Sequence, residues 1–230
     1  MSIAITIDGP AAAGKTTAAK ILAKRLPTFL YVDTGAFYRA VAFVLDEQKF
    51  TCETLPEDLS EMLTNMRISA DAEHGRQDMF INGYFIPDAA LRTERISQLA
   101  SAVSAKPEVR QFVNQAIKAY AAKNNVIMEG RDTGTAVMPN AAVKIYLTAD
   151  LQERINRRLT DDIQNMHTGI TFKDVEQAMV ERDYRDTHRL CDPLRCPEGA
   201  LFLNNTHLSI EECVNTLLSY IRTKLDIFTQ

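Results

Sequence analysis

The stretch Ile3-Ala4-Ile5-Thr6-Ile7-Asp8 runs directly into Gly9-Pro10-Ala11-Ala12-Ala13-Gly14-Lys15-Thr16-Thr17. Isoleucine at alternate positions reads as a strand, and the small residues of the other register suit a sheet covered on both faces. The segment that follows carries the pattern G-x-x-x-x-G-K-[ST], and a helical run through Ala18, Ala19, Ile21, Leu22 and Leu26 comes next. Strand, glycine-bounded turn and helix form the context that a phosphate-binding P-loop requires. Its backbone N–H groups must point into one concavity, so bulky side chains are excluded from the loop. The helix N-terminus adds a fixed partial positive charge. Lys15 is then placed to reach β- and γ-phosphates, and the Thr16 hydroxyl to meet Mg²⁺. A chance match in an ordinary loop is the competing reading; the flanking strand and helix weigh against it.

Outward from the loop, Phe29-Leu30-Tyr31-Val32-Asp33 reads as a second strand, and a helix follows Thr34-Gly35 through Ala36, Tyr38, Arg39, Val41, Val44 and Leu45. Strand, helix, strand, helix implies parallel pairing with right-handed crossovers. Residues 51–61 are polar and contain Pro56, which predicts a loop and a short helix. The pattern then changes. Met66–Ala70 alternates like a half-exposed strand, and Met79-Phe80-Ile81 and Tyr84-Phe85-Ile86 flank Asn82-Gly83, a strong hairpin signal. Antiparallel strands inside a βα series predict an inserted subdomain over about residues 64–100.

The α/β pattern resumes with a helix from about Pro107, whose apolar face is Val109, Phe112, Val113, Ala116, Ile117 and Tyr120. Val126–Glu129 and Val143–Leu147 are further strands. Two charged helices follow, from about Asp150 and then to about residue 187, divided by a break at Gly169. Ala200–Leu203 is the last strand. The final helix opens on Ser209 and Glu212, a capping box, and buries Val214, Leu217, Leu218 and Ile221. The expected fold is α/β: a five-stranded parallel sheet flanked by helices, with a small inserted antiparallel β subdomain. Ligand chemistry then belongs at the carboxyl ends of the parallel strands.

Composition sets limits on function. The chain has 230 residues, is 46% hydrophobic and carries a formal net charge of -4, so it can bury a real core but lacks the basic footprint of general nucleic-acid binding. Cys52, Cys191, Cys196 and Cys213 show no C-x-x-C spacing, which suits reduced thiols in a cytoplasmic protein. The N-terminus enters a strand at once, and no apolar run approaches the ~20 residues of a membrane span. Positive charge is concentrated locally, in Arg154, Arg157, Arg158, Arg182, Arg185, Arg189 and Arg195.

Polar residues at the strand ends are the next candidates. Asp33, Thr34 and Arg39 follow the second strand, and Arg131 and Asp132 follow Gly130. Asp, Thr and Gly favour turns whatever their function, and for Thr34 alone that reading is as good as a functional one. Arginine is a poorer turn residue, so Arg39 and Arg131 beside a phosphate loop point to anion binding. Arg154, Arg157 and Arg158 share one helical face; Arg182, Asp186 and Arg189 share another. Each alone reads as solvated surface, with i,i+4 ion pairs worth about 0.3–0.5 kcal/mol. Two such faces around the Gly169 break can instead close over a polyphosphate. His74, His167, His188 and His207 are scattered and carry no motif, and the methionines read as packing.

Taken together, Ile5–Pro10 with the P-loop, Asp33-Thr34-Gly35-Ala36-Phe37-Tyr38-Arg39, Gly130–Thr135 and Glu181–Asp186 resemble the bacterial-type cytidylate (CMP) kinases over essentially the whole chain. The resemblance implies a single nucleoside monophosphate kinase domain over residues 1–230. Its core is 1–63, 101–150 and 190–230, its monophosphate-binding insertion about 64–100, and its helical lid about 151–189. It also implies ATP and CMP or dCMP as substrates with Mg²⁺, a monomer, and neither nucleic acid nor membrane as partner.

Carried over position by position, Gly9, Pro10, Ala11, Ala12, Ala13, Gly14, Lys15, Thr16 and Thr17 match the ATP-binding loop. Arg154, Arg157 and Arg158 match the lid that closes over ATP. Thr34, Ser101, Arg110 and Asp132 match contacts at the cytosine end, where a carboxylate can accept from an exocyclic amine that uracil lacks. Arg39, Arg110 and Arg131 match holders of the monophosphate, and Arg182, Asp186 and Arg189 lie near sugar and phosphates in that scheme. Lys15, Arg131, Arg158, Arg182 and Asp186 are the implied catalytic set. Thr16, with Asp33 through water, is the implied metal contact. Departures from the family pattern are Ala12 for a common glycine, Glu129 and Gly199 for common aspartates, and Asn204-Asn205 for Asp followed by Ser or Thr. Two other readings stay open here: a related kinase acting on UMP or AMP, and a non-catalytic nucleotide-binding module whose arginines serve a partner.

Overall fold

In the computed structural model, which describes residues 2–73, 75–164 and 171–228, the opening strand is the centre of the sheet. Strand β1 (Ala4–Asp8) is buried along its whole length. Helix α1 (Lys15–Arg25) follows the loop, and then come β2 (Leu30–Asp33) and α2 (Thr34–Glu47). After the short α3 (Ser60–Thr64) the chain forms β3 (Ile68–Glu73), β4 (Arg76–Ile81) and β5 (Tyr84–Ile86). Helices α4 (Asp88–Leu91), α5 (Glu94–Val103) and α6 (Pro107–Ala121) lead to β6 (Val126–Gly130) and a π-helical turn over Thr133–Val137. Strand β7 (Val143–Thr148), α7 (Leu151–Gln164), α8 (Phe172–His188), β8 (Leu201–Asn204) and α9 (Ile210–Phe228) complete the chain.

The five parallel strands lie in the order β2-β6-β1-β7-β8, and β3-β4-β5 make a separate antiparallel sheet. Strand alternation sorts the core into two faces. Ile5, Ile7, Tyr31, Ile127 and Ile145 pack against Leu22 of α1 and Leu217 and Ile221 of α9. Ala4, Val32, Val126 and Met128 face Phe37, Val41 and Leu45 of α2, Leu99 of α5 and Val113 and Ile117 of α6. Each fully buried side chain of this size contributes about 1.5–3 kcal/mol. A third, small cluster of Ala11, Ile155, Val175 and Met179 seals α7 and α8 onto the P-loop.

The inserted sheet differs from expectation at its edges. Strand β4 begins at Arg76 rather than Met79, because Arg76, Gln77 and Asp78 pair with Glu73, Ala72 and Asp71 of β3. A polar strand held by its neighbour leaves no hydrophobic alternation to read. The Asn82-Gly83 turn is as expected, with φ of 51° and 85°. Helix α5 carries its own signal, a Thr93 hydroxyl that accepts from the Ile96 N–H at 3.3 Å, and it crosses the residue-100 boundary drawn for the insertion. The Ser209–Glu212 capping box is formed. Gly169, His74 and His167 lie outside the described residues.

No helix among the described residues is long and apolar enough to cross a membrane.

Candidate active site

Every parallel strand ends on one rim, and that rim carries the polar residues. Gly9 has φ of 152° and sits so close to β7 that a Cβ there would lie 1.9 Å from the Leu147 carbonyl oxygen. Ala12 adopts φ of 54°, the left-handed region that favours glycine, at an estimated cost of about 1 kcal/mol. Gly14, at φ 86°, caps α1 without a side chain, so the first-turn N–H groups are left to an anion.

Lys15 is buried and donates to the Pro10 carbonyl oxygen at 2.6 Å. Burial, reinforced by the charges of Arg131 and Arg182, pulls its pKa down to about 7. The Thr16 hydroxyl donates to Glu129 Oε2 at 2.8 Å, and the Tyr31 hydroxyl holds the other oxygen of that carboxylate at 2.6 Å. Burial and the nearby Asp33 push the Glu129 pKa up. The carboxylate that meets Thr16 is therefore Glu129. Asp33 instead caps α2 by accepting from the Ala36 N–H and pairs with Arg39 at 2.5 Å and Arg92 at 3.6 Å. Burial alone would raise its pKa; the two guanidinium groups outweigh that and lower it.

Around this loop the arginines fall into two groups. Arg154 and Arg157 are bound to the loop side. Arg154 donates to the Ala11 and Ala149 carbonyls and pairs with Asp183, which also accepts from the Ala11 N–H. Arg157 spans Asn205, donating to its side-chain oxygen at 3.0 Å and its carbonyl at 3.2 Å, while the Asn205 amide donates to the Ala13 carbonyl at 3.0 Å. Arg131 donates to Asp186 at 2.8 Å, and Arg131, Arg182 and Arg189 overcome the effect of burial to hold the Asp186 pKa low. Arg182 has no hydrogen bond or ion pair among the described residues. Its pKa is pulled down to about 10 by burial and by Arg131, with Arg39 and Arg158 adding to the effect.

A second cluster lies beyond Arg39. Asp132 is shared by Arg110, whose Nη2 donates to Oδ2, and by Arg189, whose Nη2 donates to Oδ1 at 3.0 Å. Arg110 also donates to Asp192 at 2.8 Å and lies 5.6 Å from the Tyr38 ring centre. The Tyr38 hydroxyl and Arg39 Nε are buried without hydrogen-bond partners among the described residues. Such orphans mark places where a ligand group completes the network. Thr34 is differently used: its hydroxyl donates to the Glu129 carbonyl at 2.7 Å and so ties α2 to β6. Ser101 lies on α5, partly buried; its carbonyl accepts from the Ser104 hydroxyl at 2.8 Å, and the Ser104 carbonyl in turn accepts from Arg110 Nη1 at 3.0 Å.

Tyr38, Arg92, Glu129 and Asn205 are members of this rim that sequence reasoning left without a role. For Arg92 no local signal exists; Tyr38 lies within the Asp33–Arg39 segment quoted above, where it reads only as a helix position. Glu129 was visible as the residue before Gly130, and Asn205 as a polar residue just past a strand end.

A P-loop on the central strand that faces a surplus of buried cations defines a P-loop phosphotransferase, a kinase in fold and in site. A family model described as cytidylate kinase matches residues 5–223. A cytidylate kinase of Carboxydothermus hydrogenoformans is 40% identical over 223 residues, covering 97% of this chain and 99% of that protein. One of Bacillus cereus is 38% identical over 221 residues, covering 95% and 96%. The chain belongs to the cytidylate kinase family. In fold alone it is also similar to an uncharacterized protein from Eubacterium ventriosum, with a TM-score of 0.53 at 11% identity over 96% of this chain and 99% of that one.

Proposed function

We propose that the protein transfers the γ-phosphoryl group of ATP to CMP, and to dCMP, giving ADP and the nucleoside diphosphate. An oxygen of the acceptor phosphate attacks the γ-phosphorus while the bond to the leaving β-phosphate oxygen breaks, so a protein nucleophile is unnecessary. The observation that carries this reading is the convergence of Lys15, Arg39, Arg131, Arg158 and Arg182, where burial first and the neighbouring cations after it pull the pKa of Lys15 and of Arg182 down. Such a field is unfavourable in the empty protein and is relieved by phosphate oxygens.

In this scheme the P-loop from Gly9 to Thr17, with Arg154, Arg157 and Arg158, holds ATP. Arg39 and Arg131 hold the acceptor phosphate, and Arg92 stands beside them. Arg182 and Asp186 lie between donor and acceptor. Arg110, Asp132, Arg189, Ser101 and Tyr38 surround the acceptor base and sugar. Thr34 supports that wall from below. The division into core, insertion and lid follows the same scheme, with α5 belonging to the acceptor side.

Thr16 and Glu129 suit Mg²⁺ that arrives with ATP. Among the described residues no cluster of three or more His, Cys, Asp or Glu could chelate a metal, and Mg²⁺ typically keeps waters and phosphate oxygens rather than an all-protein cage. When bound, the ion neutralises charge on the transferred phosphoryl group. Lys15 supplies positive charge at the loop, and the arginines orient both phosphates and exclude water as α7 and α8 close. Four free cysteines support a cytoplasmic setting, and we take the working unit as a monomer.

A panel of CMP, dCMP, UMP and AMP with ATP and Mg²⁺, scored for ADP release, tests the reading. CMP-dependent ADP formation is the expected result. Preference for UMP or AMP would move the acceptor, and slow acceptor-independent hydrolysis would sink the kinase assignment.

A further inference from the structure

We propose that Gln77 of the inserted sheet is a positioning residue for the acceptor phosphate, acting through the backbone of Asp33. Strand β2 is an edge of the parallel sheet, since its partner β6 lies on one side only. Along a strand, backbone groups point alternately to either side. Leu30 turns its N–H toward the β6 side, donating to the Asn125 carbonyl at 2.9 Å, so Asp33, three residues on, turns its N–H and carbonyl outward. Gln77 takes both. Its Oε1 accepts from the Asp33 N–H at 2.7 Å and its Nε2 donates to the Asp33 carbonyl at 3.3 Å. A side-chain amide thus replaces the missing neighbouring strand at one residue.

That residue is the one whose carboxylate holds Arg39 at 2.5 Å and Arg92 at 3.6 Å. Arg39 comes from α2 and Arg92 from the segment that follows α4. The inserted sheet therefore fixes the Asp33 peptide from outside, while the Asp33 side chain fixes Arg39 inside and attracts Arg92, which is hydrogen-bonded to Asp88 at 2.6 Å. The β3–β4 turn, two residues before Gln77, is seated as well. Gly75 lies against α1, where a Cβ would come within 3.1 Å of Lys24 Cε and 3.4 Å of the Lys20 carbonyl oxygen. A shift of the hairpin would turn the Asp33 peptide and re-aim the Arg39 guanidinium, the group its carboxylate binds directly. Gln77 touches neither substrate in this scheme, and its effect falls on acceptor binding and not on the ATP loop.

The inference rests on the proposed acceptor site, and its test separates the two. In Gln77→Met, which keeps length but has no amide, hydrogen exchange of the Asp33 amide in the nucleotide-free chain is expected to speed up about tenfold or more. In the same variant KM for CMP is expected to rise about tenfold with KM for ATP within about twofold. If the methionine variant does not fold, Gln77→Asn, one methylene too short to reach, reads the same two quantities. Unchanged Asp33 exchange overturns the clamp. Equal rises in both KM values, or none, overturn the positioning role. Absence of any CMP phosphorylation by the parent protein would defeat the assigned reaction, while the exchange measurement still decides the clamp.

Discussion

The ammonium group of Lys15 donates to the carbonyl oxygen of Pro10 across 2.6 Å, folding the side chain back over its own loop. Buried there beside Arg131 and Arg182, it titrates near 7, against 10.5 for a free lysine. Polyphosphate supplies the opposite charge, so ATP binding should draw a proton onto Lys15 at pH 8. Calorimetry in buffers of different ionisation heat should show uptake of up to one proton with a non-hydrolysable ATP analogue, and Lys15→Met should show none. In the nucleotide-free protein the Lys15 site binds more protons in the unfolded chain than in the folded one between about pH 7 and 10.5. The stability of the parent relative to Lys15→Met should therefore rise with pH across that window. Phosphoryl transfer in that variant should fall by a factor of about 10² or more with the fold intact; undiminished turnover would contradict the proposed role.

Arg131 pairs with Asp186 and faces Arg182. Arg131→Ala should raise KM for CMP far more than KM for ATP and lower kcat by about 10². Steady-state kinetics with each substrate varied in turn gives the answer, and equal effects on both substrates would remove Arg131 from the acceptor side.

Glu129 joins Thr16 to Tyr31. Glu129→Gln keeps a polar group of the same shape but removes the charge that burial disfavours. The Mg²⁺ concentration for half-maximal activity should rise by about fivefold or more, with thermal stability unchanged or higher. Loss of stability without a change in metal requirement would make Glu129 a structural residue only.

Asn205 stands between the Ala13 carbonyl and Arg157. Its truncation to alanine leaves Arg157 without that anchor, and KM for ATP should rise about fivefold while KM for CMP holds. Fluorescent ATP-analogue titration provides an independent reading of the same loss.

Much of the fold was legible because it is local. Alternating isoleucines, the G-x-x-x-x-G-K-T turn, Asn82-Gly83 and the Ser209–Glu212 cap each act within a few residues. Strand β4 was read only in part: Arg76, Gln77 and Asp78 have no strand-forming pattern, and their conformation is imposed by β3. The site shows the same division. Lys15 and Thr16 come as one motif. The family resemblance implies Asp33, through water, as a metal contact. In the folded chain Asp33 pairs with Arg39 and Arg92, and Glu129 accepts from Thr16.

By itself, then, the sequence determined a parallel α/β core, a phosphate loop at its first strand end and an arginine-rich second half, because helix and strand periods and loop glycines are short-range constraints. Tertiary structure alone decided which carboxylate meets Thr16, which arginines share Asp132, and which polar atoms of Tyr38 and Arg39 stay unpaired among the described residues. Those outcomes depend on β6 lying between β1 and β2 and on a hairpin covering the edge of β2, where charges distant in sequence become neighbours. At such distances Coulomb and hydrogen-bond energies, not residue type, choose the partner.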